Sequence, residues 1–146
     1  MSRIIFQKAE LDDLPELYSA GRKIFNGSNV SSIKWNPENI ADIFMDDAAL
    51  MIIALRDKKI LGIAAGKISD TENRIMEIVC FGVLEKFSGT GLDEELFGAF
   101  NNAAKESGIK SVRIVFDPNR TKESFSNFEK LGFVETGVIR VLDKNL

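Results

Sequence analysis

Val83-Leu84-Glu85-Lys86-Phe87-Ser88-Gly89-Thr90-Gly91-Leu92-Asp93-Glu94-Glu95-Leu96-Phe97 is the stretch on which the fold turns. An apolar run over residues 78–83 leads into a short turn holding Gly89 and Gly91. The turn opens into a segment whose apolar residues Leu92, Leu96, Phe100, Ala103 and Ala104 recur at helical spacing. This reads as strand, loop, helix. A helix start leaves its first backbone N–H groups unpaired and carries the positive end of the helix dipole, so it suits a phosphate or pyrophosphate. Two glycines let the backbone come close to such a group. Spacing alone does not separate a ligand site from plain packing, because glycine turns before helices serve both.

On either side the chain gives a consistent pattern. Upstream, Ile4-Ile5-Phe6 predicts a short strand, and Asp12-Asp13-Leu14-Pro15 starts a helix striped by Leu14, Leu17, Tyr18, Gly21, Ile24 and Phe25. Residues 26–32, rich in Asn, Ser and Gly, read as a loop. Asn36-Pro37 restarts a helix that Asp46-Asp47 ends, with Ile40, Ile43 and Phe44 inward. The apolar runs 50–56 and 60–67 flank Asp57-Lys58-Lys59 and predict an antiparallel hairpin. A polar turn over 69–73 leads to a strand over 75–83. Downstream, the central helix ends near Ser107-Gly108, residues 111–116 form a strand, 121–131 a helix closed by Gly132, and 133–142 a last extended stretch.

Composition narrows the chemistry. The chain has 146 residues, 45% of them hydrophobic, with 11 Phe, which is enough for one sizeable core and predicts a single domain over 1–146. A net charge of -3 without a basic block argues against a nucleic-acid partner. No apolar run is long enough to span a membrane and no leader is apparent, so a cytoplasmic protein is expected. The lone cysteine, Cys80, lies in an apolar run and reads as a core residue of a reducing compartment. With no histidine, Ser-His-Asp and Cys-His catalysis and His-based zinc sites are excluded, and no metal is expected. Proton transfer falls to carboxylates, Lys, Tyr or water.

The stretch 83–93 resembles motif A of the GCN5-related N-acetyltransferases (GNAT), [QR]-x-x-G-x-[GA] after a strand ending in Val. Here it reads Ser88-Gly89-Thr90-Gly91-Leu92-Asp93 after Val83. Gly91 and Val83 match, and Gly89 stands where the family often has Gly. Phe128-Glu129-Lys130-Leu131-Gly132-Phe133 is similar to the F-Y-E-K-x-G-F ending of motif B, with Asn119 near its expected Asn. The element order looks like the family's from Ile4 to about Leu142. The resemblance implies an α/β (α+β) fold of the acyl-CoA N-acyltransferase kind, a mixed, mostly antiparallel sheet with about four helices. It also implies acetyl-CoA as cosubstrate and transfer to a small-molecule or protein amine.

By the same resemblance, main-chain groups of Phe81, Gly82 and Val83 would dock the thioester. The loop Ser88, Gly89, Thr90, Gly91, Leu92 and Asp93, with Asn119, would hold the nucleotide end, helped by Lys86, Arg120 or Lys122. Glu77, six residues before Val83, would be the base through water; as a carboxylate in an apolar strand it also reads as a residue of an exposed edge. Three positions depart from the pattern. Phe128 replaces the tyrosine acid and also fits an apolar helix face with Phe125 and Leu131. Asp93 replaces a small residue and would repel a phosphate if it faces one, or complement the helix dipole if it does not. Ser88 replaces Gln or Arg. Tyr18 is the one remaining tyrosine. Together the departures sustain an alternative, a non-catalytic binding or regulatory module.

Only 13 residues follow Phe133. They allow a tight hairpin of 133–135 and 138–142 around Thr136-Gly137, or one continuous strand. The second is expected here, with an open slot beside the 111–116 strand that a homodimer would cover or fill.

Overall fold

The computed structural model describes residues 3–25, 30–115 and 128–146. Its elements run β1 (Ile5–Lys8), α1 (Leu14–Ile24), β2 (Val30–Ser31), α2 (Pro37–Met45), β3 (Leu50–Arg56), β4 (Lys59–Asp70), β5 (Ile75–Val83), α3 (Leu92–Glu106) and β6 (Ser111–Arg113). Six strands form one sheet in the order β1-β3-β4-β5-β2, with β6 also on β5. All pairs are antiparallel except β5–β6. This is the expected mixed sheet.

Local chemistry sets the element ends. Before α1, the Glu10 N–H donates to Asp13 Oδ2 at 2.7 Å, and Pro15 fills the first turn. Asn36 caps α2 by accepting from the Asn39 N–H at 2.8 Å. The β3–β4 hairpin is tighter than expected: Lys59 already pairs with Arg56, so Asp57 and Lys58 alone make the turn, at φ 53° and 66°. Two consecutive left-handed residues match the twist of a two-residue hairpin. α3 closes through the Ile109 N–H, which donates to the Ala104 carbonyl at 3.0 Å.

The sheet separates two apolar layers. On one face α3 sets Leu92, Leu96, Phe100 and Ala104 against Ile52, Ala64, Met76, Ile78 and Phe81. On the other, α1 and α2 set Leu17, Ile24, Ile40 and Ile43 against Met51, Ile53, Ile63 and Cys80. The helix stripes read from the sequence are thus the buried faces. Cys80 is wholly buried and free, and burial pushes its thiol up to about 12.

Three expectations change. Within the expected 26–32 loop, Val30 and Ser31 form a strand on β5. Pairing through the main chain needs no apolar run, so the polar composition concealed it. The strand expected over 111–116 is assigned only as Ser111–Arg113. Residues 133–146 carry neither the hairpin nor the continuous strand: no strand is assigned there and residues 134–146 are exposed. The helix predicted over 121–131 is described only in its last turn, 128–130, where Phe128 is buried; Asn119, Arg120, Lys122 and Phe125 lie outside the described residues.

Candidate functional site

The site candidates gather along β5. Its inner edge pairs with β4, but Ala65 faces Cys80 while Gly66 faces Ile78, so Val79 is an extra residue, a β-bulge. Met76 and Ile78 lie in the α3 layer, Val79 and Cys80 both in the α1/α2 layer, and Phe81 and Val83 return to the α3 layer. By alternation Glu77 stands on the face opposite Met76 and Ile78. It is half-buried, with Lys67 of β4 and Arg113 of β6 directly across from it. Neither cation was anticipated as its neighbour.

The outer edge of β5 changes partner at this bulge. Parallel pairing with β6 covers Ile75, Met76 and Glu77 and goes no further. Beyond it, β2 pairs antiparallel, Ser31 with Cys80 and Val30 with Phe81. The Ser32 N–H and hydroxyl both donate to the Val79 carbonyl, at 2.8 and 3.2 Å. Glu77 is therefore the last β5 residue before the outer edge of the strand passes from β6 to β2. Phe81, Gly82 and Val83 are all buried, and Phe81 already has Val30 across from it. The main-chain edge expected to dock a thioester is thus paired at Phe81 with the chain's own β2.

At the end of β5 the chain makes a 3-10 turn, Glu85–Phe87, and reaches α3 through Gly89 and Gly91. Gly91 caps α3 at φ 93° with no side-chain hydrogen bond, and a Cβ there would have no atom within 4 Å. The first helical bond is from the Glu95 N–H to the Gly91 carbonyl, at 3.1 Å. The amides of Leu92, Asp93 and Glu94 precede it, so they are the donors this helix start offers to an anion. Thr90 does not add its proton, since its hydroxyl donates to the Phe87 carbonyl at 2.5 Å. Ser88 is exposed, Leu92 is buried in the core, and Asp93 is half-buried in a first turn that also holds Glu94 and Glu95. An open, uncapped helix start with left-handed glycine fits the pyrophosphate of coenzyme A; the three carboxylates oppose it.

Phe128 packs on the site strand. Its ring lies 5.9 Å from that of Phe81, which meets Phe97 edge-on at 6.1 Å; Phe133 closes the cluster at 5.3 Å from both Phe97 and Phe128. The core reading of Phe128 holds. Tyr18 is apart from this cluster, on α1, where its carbonyl accepts from Trp35 Nε1 at 3.1 Å and its ring lies 5.9 Å from the Arg22 guanidinium. Among the described residues no group of His, Cys, Asp and Glu could hold a metal.

The fold is shared with solved acetyltransferases. The aminoglycoside N-acetyltransferase AAC(6')-Iy, solved with a bisubstrate analogue of CoA, is similar over 99% of this chain and 100% of its own, at 19% identity and a TM-score of 0.78. AAC(6')-Ih from Acinetobacter baumannii is similar over 99% of both chains at 12% identity and 0.77. The ribosomal-protein-S18-alanine N-acetyltransferase from Escherichia coli is similar over 92% of this chain and 80% of its own at 16% and 0.73. No curated protein sequence matches. Residues 28–144 match the model of the acetyltransferase (GNAT) domain. The chain belongs to the GNAT family of acetyl-CoA-dependent N-acetyltransferases.

Proposed function

We propose that the protein transfers the acetyl group of acetyl-CoA to the amine of a small molecule by direct attack, with Glu77 as base through water. The observation that carries this reading is the place of Glu77, the last residue of β5 paired with β6 and just before the bulge at Val79. A carboxylate there stands where the outer edge of β5 changes partner from β6 to β2. Acetyl-CoA supplies an activated thioester. The amine nitrogen forms a bond to the carbonyl carbon, the C–S bond breaks, and coenzyme A leaves as thiolate. The amine's proton passes through water to Glu77. Phe128 cannot protonate the thiolate, but with a pKa near 8.5 a thiolate leaves without an acid, at a cost in rate.

Main-chain groups of Phe81, Gly82 and Val83 then orient the thioester, and the Ser88-to-Asp93 loop holds the pyrophosphate, with Asn119 at the nucleotide end. Aminoglycosides are the acceptors of several proteins that share this fold, which favours a small-molecule amine over a protein. The protein is a single cytoplasmic domain that associates with a second copy through its C-terminal region. Among the described residues no helix is long and apolar enough to cross a membrane. The alternative of a non-catalytic module rests on Ser88, Asp93 and Phe128 alone.

The test is Glu77→Gln. Thiol release from acetyl-CoA, followed with an aminoglycoside and polyamine panel, should fall about 10²- to 10⁴-fold, with the limb of the pH profile that reports the base removed. CoA binding by calorimetry should not change. An unaltered rate and profile removes Glu77 from the mechanism. Absence of any heat with millimolar CoA sinks the enzyme reading itself.

A further inference from the structure

Three strands set a row of charges across one face of the sheet. Lys67 of β4 stands directly across from Glu77 of β5 on one side, and Arg113 of β6 on the other. Residues directly opposite each other share a face and stand about 5 Å apart. Their neighbours show which face it is. Met76 and Val112 belong to the α3 layer, and a Cβ on Gly66 would meet Met76 and Phe100. By alternation Lys67, Glu77 and Arg113 point to the other side, in line with Ala65 and Val79 of the α1/α2 layer. Solvent reaches this end of the layer, since Lys67 and Glu77 are half-buried and Arg113 is exposed. Asp70, the one carboxylate of β4, is turned to Asn73, whose N–H and side-chain amide donate to its two oxygens at 2.9 and 2.8 Å. The row thus sets two cations beside one carboxylate, the base.

We propose that the acceptor is an amine that also carries a carboxylate, an amino acid or a close relative of one. Its carboxylate lies against Lys67 and Arg113, and its nitrogen faces the water held by Glu77. The inference rests on the acetyl-transfer reading and names the substrate class of the same site. Two cations against one carboxylate leave one positive charge over, and a second is uncovered when Glu77 takes the amine's proton. A polycationic acceptor is repelled at both stages. A carboxylated acceptor is drawn in, and its attraction grows as Glu77 is neutralised, so part of it acts on the transition state. A unit charge about 6 Å away is worth about 3-fold in water and about 100-fold at an effective dielectric of about 20. With Lys67 half-buried and Arg113 exposed, the two together should favour a free acid over its uncharged amide by about 10- to 100-fold.

Thiol release from acetyl-CoA is followed with the standard amino acids, with their carboxamides, and with spermidine and kanamycin. The best amino acid should exceed its own amide and both polycations by at least about 10-fold in kcat/KM, and by less at high salt. Lys67→Met and Arg113→Met should each lower the acid-to-amide ratio by at least about threefold, and Lys67→Arg should retain it. The ratio cancels the intrinsic reactivity of each amine and any general loss of folded protein. An acid no better than its amide overturns the proposal and leaves acetyl transfer standing. So does a ratio that neither methionine variant changes. Protein that binds CoA but releases no thiol with any of these acceptors overturns the proposal and the acetyl-transfer reading together.

Discussion

Asp93→Ala sets two effects of one carboxylate against each other. Asp93 is the second residue of α3, after a Gly91 cap that makes no side-chain bond, and it is half-buried beside the amides an anion would use. In the free protein its charge complements the helix dipole, and removing it costs about 0.3–1 kcal/mol. Toward a bound pyrophosphate the sign reverses. Two unit charges about 5 Å apart repel by roughly 3 kcal/mol at an effective dielectric of about 20 and by roughly 0.8 kcal/mol in water. Half-burial places the value between these limits, so the substitution should tighten CoA by about 4- to 150-fold. The gain should shrink at high salt. Calorimetry with CoA and with dephospho-CoA at two ionic strengths, beside thermal unfolding without ligand, reads both effects. The reasoning fails if affinity stays within twofold of wild type, or if tighter binding is the same at every ionic strength.

Two further outcomes concern the core. Cys80 ionises near 9.0 when unfolded but only near 12 in the folded chain, so the unfolded state loses its proton first. Its contribution is intact below pH about 9 and is lost as pH rises toward 12, with a slope of at most about 1.4 kcal/mol per pH unit; Cys80→Ala should flatten the alkaline limb in denaturant titrations, and an unchanged limb would contradict the burial. Gly21→Ala should be costly, because a Cβ there would stand 2.0 Å from Trp35 Cε2. The indole must move and give up its bond to the Tyr18 carbonyl. A loss of about 2–4 kcal/mol and a melting point lower by roughly 5–15 °C are expected; a shift under about 2 °C would mean the indole relocates freely.

Most of the architecture was legible because side-chain periodicity reports which face is buried. The stripes of α1, α2 and α3 and the apolar runs of β3, β4 and β5 follow burial that the sequence states directly. What escaped was formed by the main chain. β2 pairs Val30 and Ser31 with β5 from a polar segment, and its hydrogen bonds make no demand on side chains. The tail 134–142 misled in the opposite sense: its apolar residues announce a strand, but among the described residues it pairs with none and its side chains are exposed.

The position of Glu77 shows how far one main-chain feature reaches into the chemistry. Gly62 faces Val83 and Ala65 faces Cys80; continued without a break, that register would set Glu77 across from Ile68. Strict alternation from Phe81 and Val83 would also put its carboxylate into the α3 layer with them. A charge there, among Phe100, Met76 and Ile78, would be desolvated and driven neutral. The extra residue at Val79 shifts the register by one, brings Lys67 across from Glu77 and turns it to the opposite face. The spacing of Glu77 before Val83 thus has meaning only with the bulge between them. With the bulge in place, Lys67 and Arg113 stand in register with Glu77 on its two sides, so the carboxylate faces cationic neighbours in place of the apolar layer.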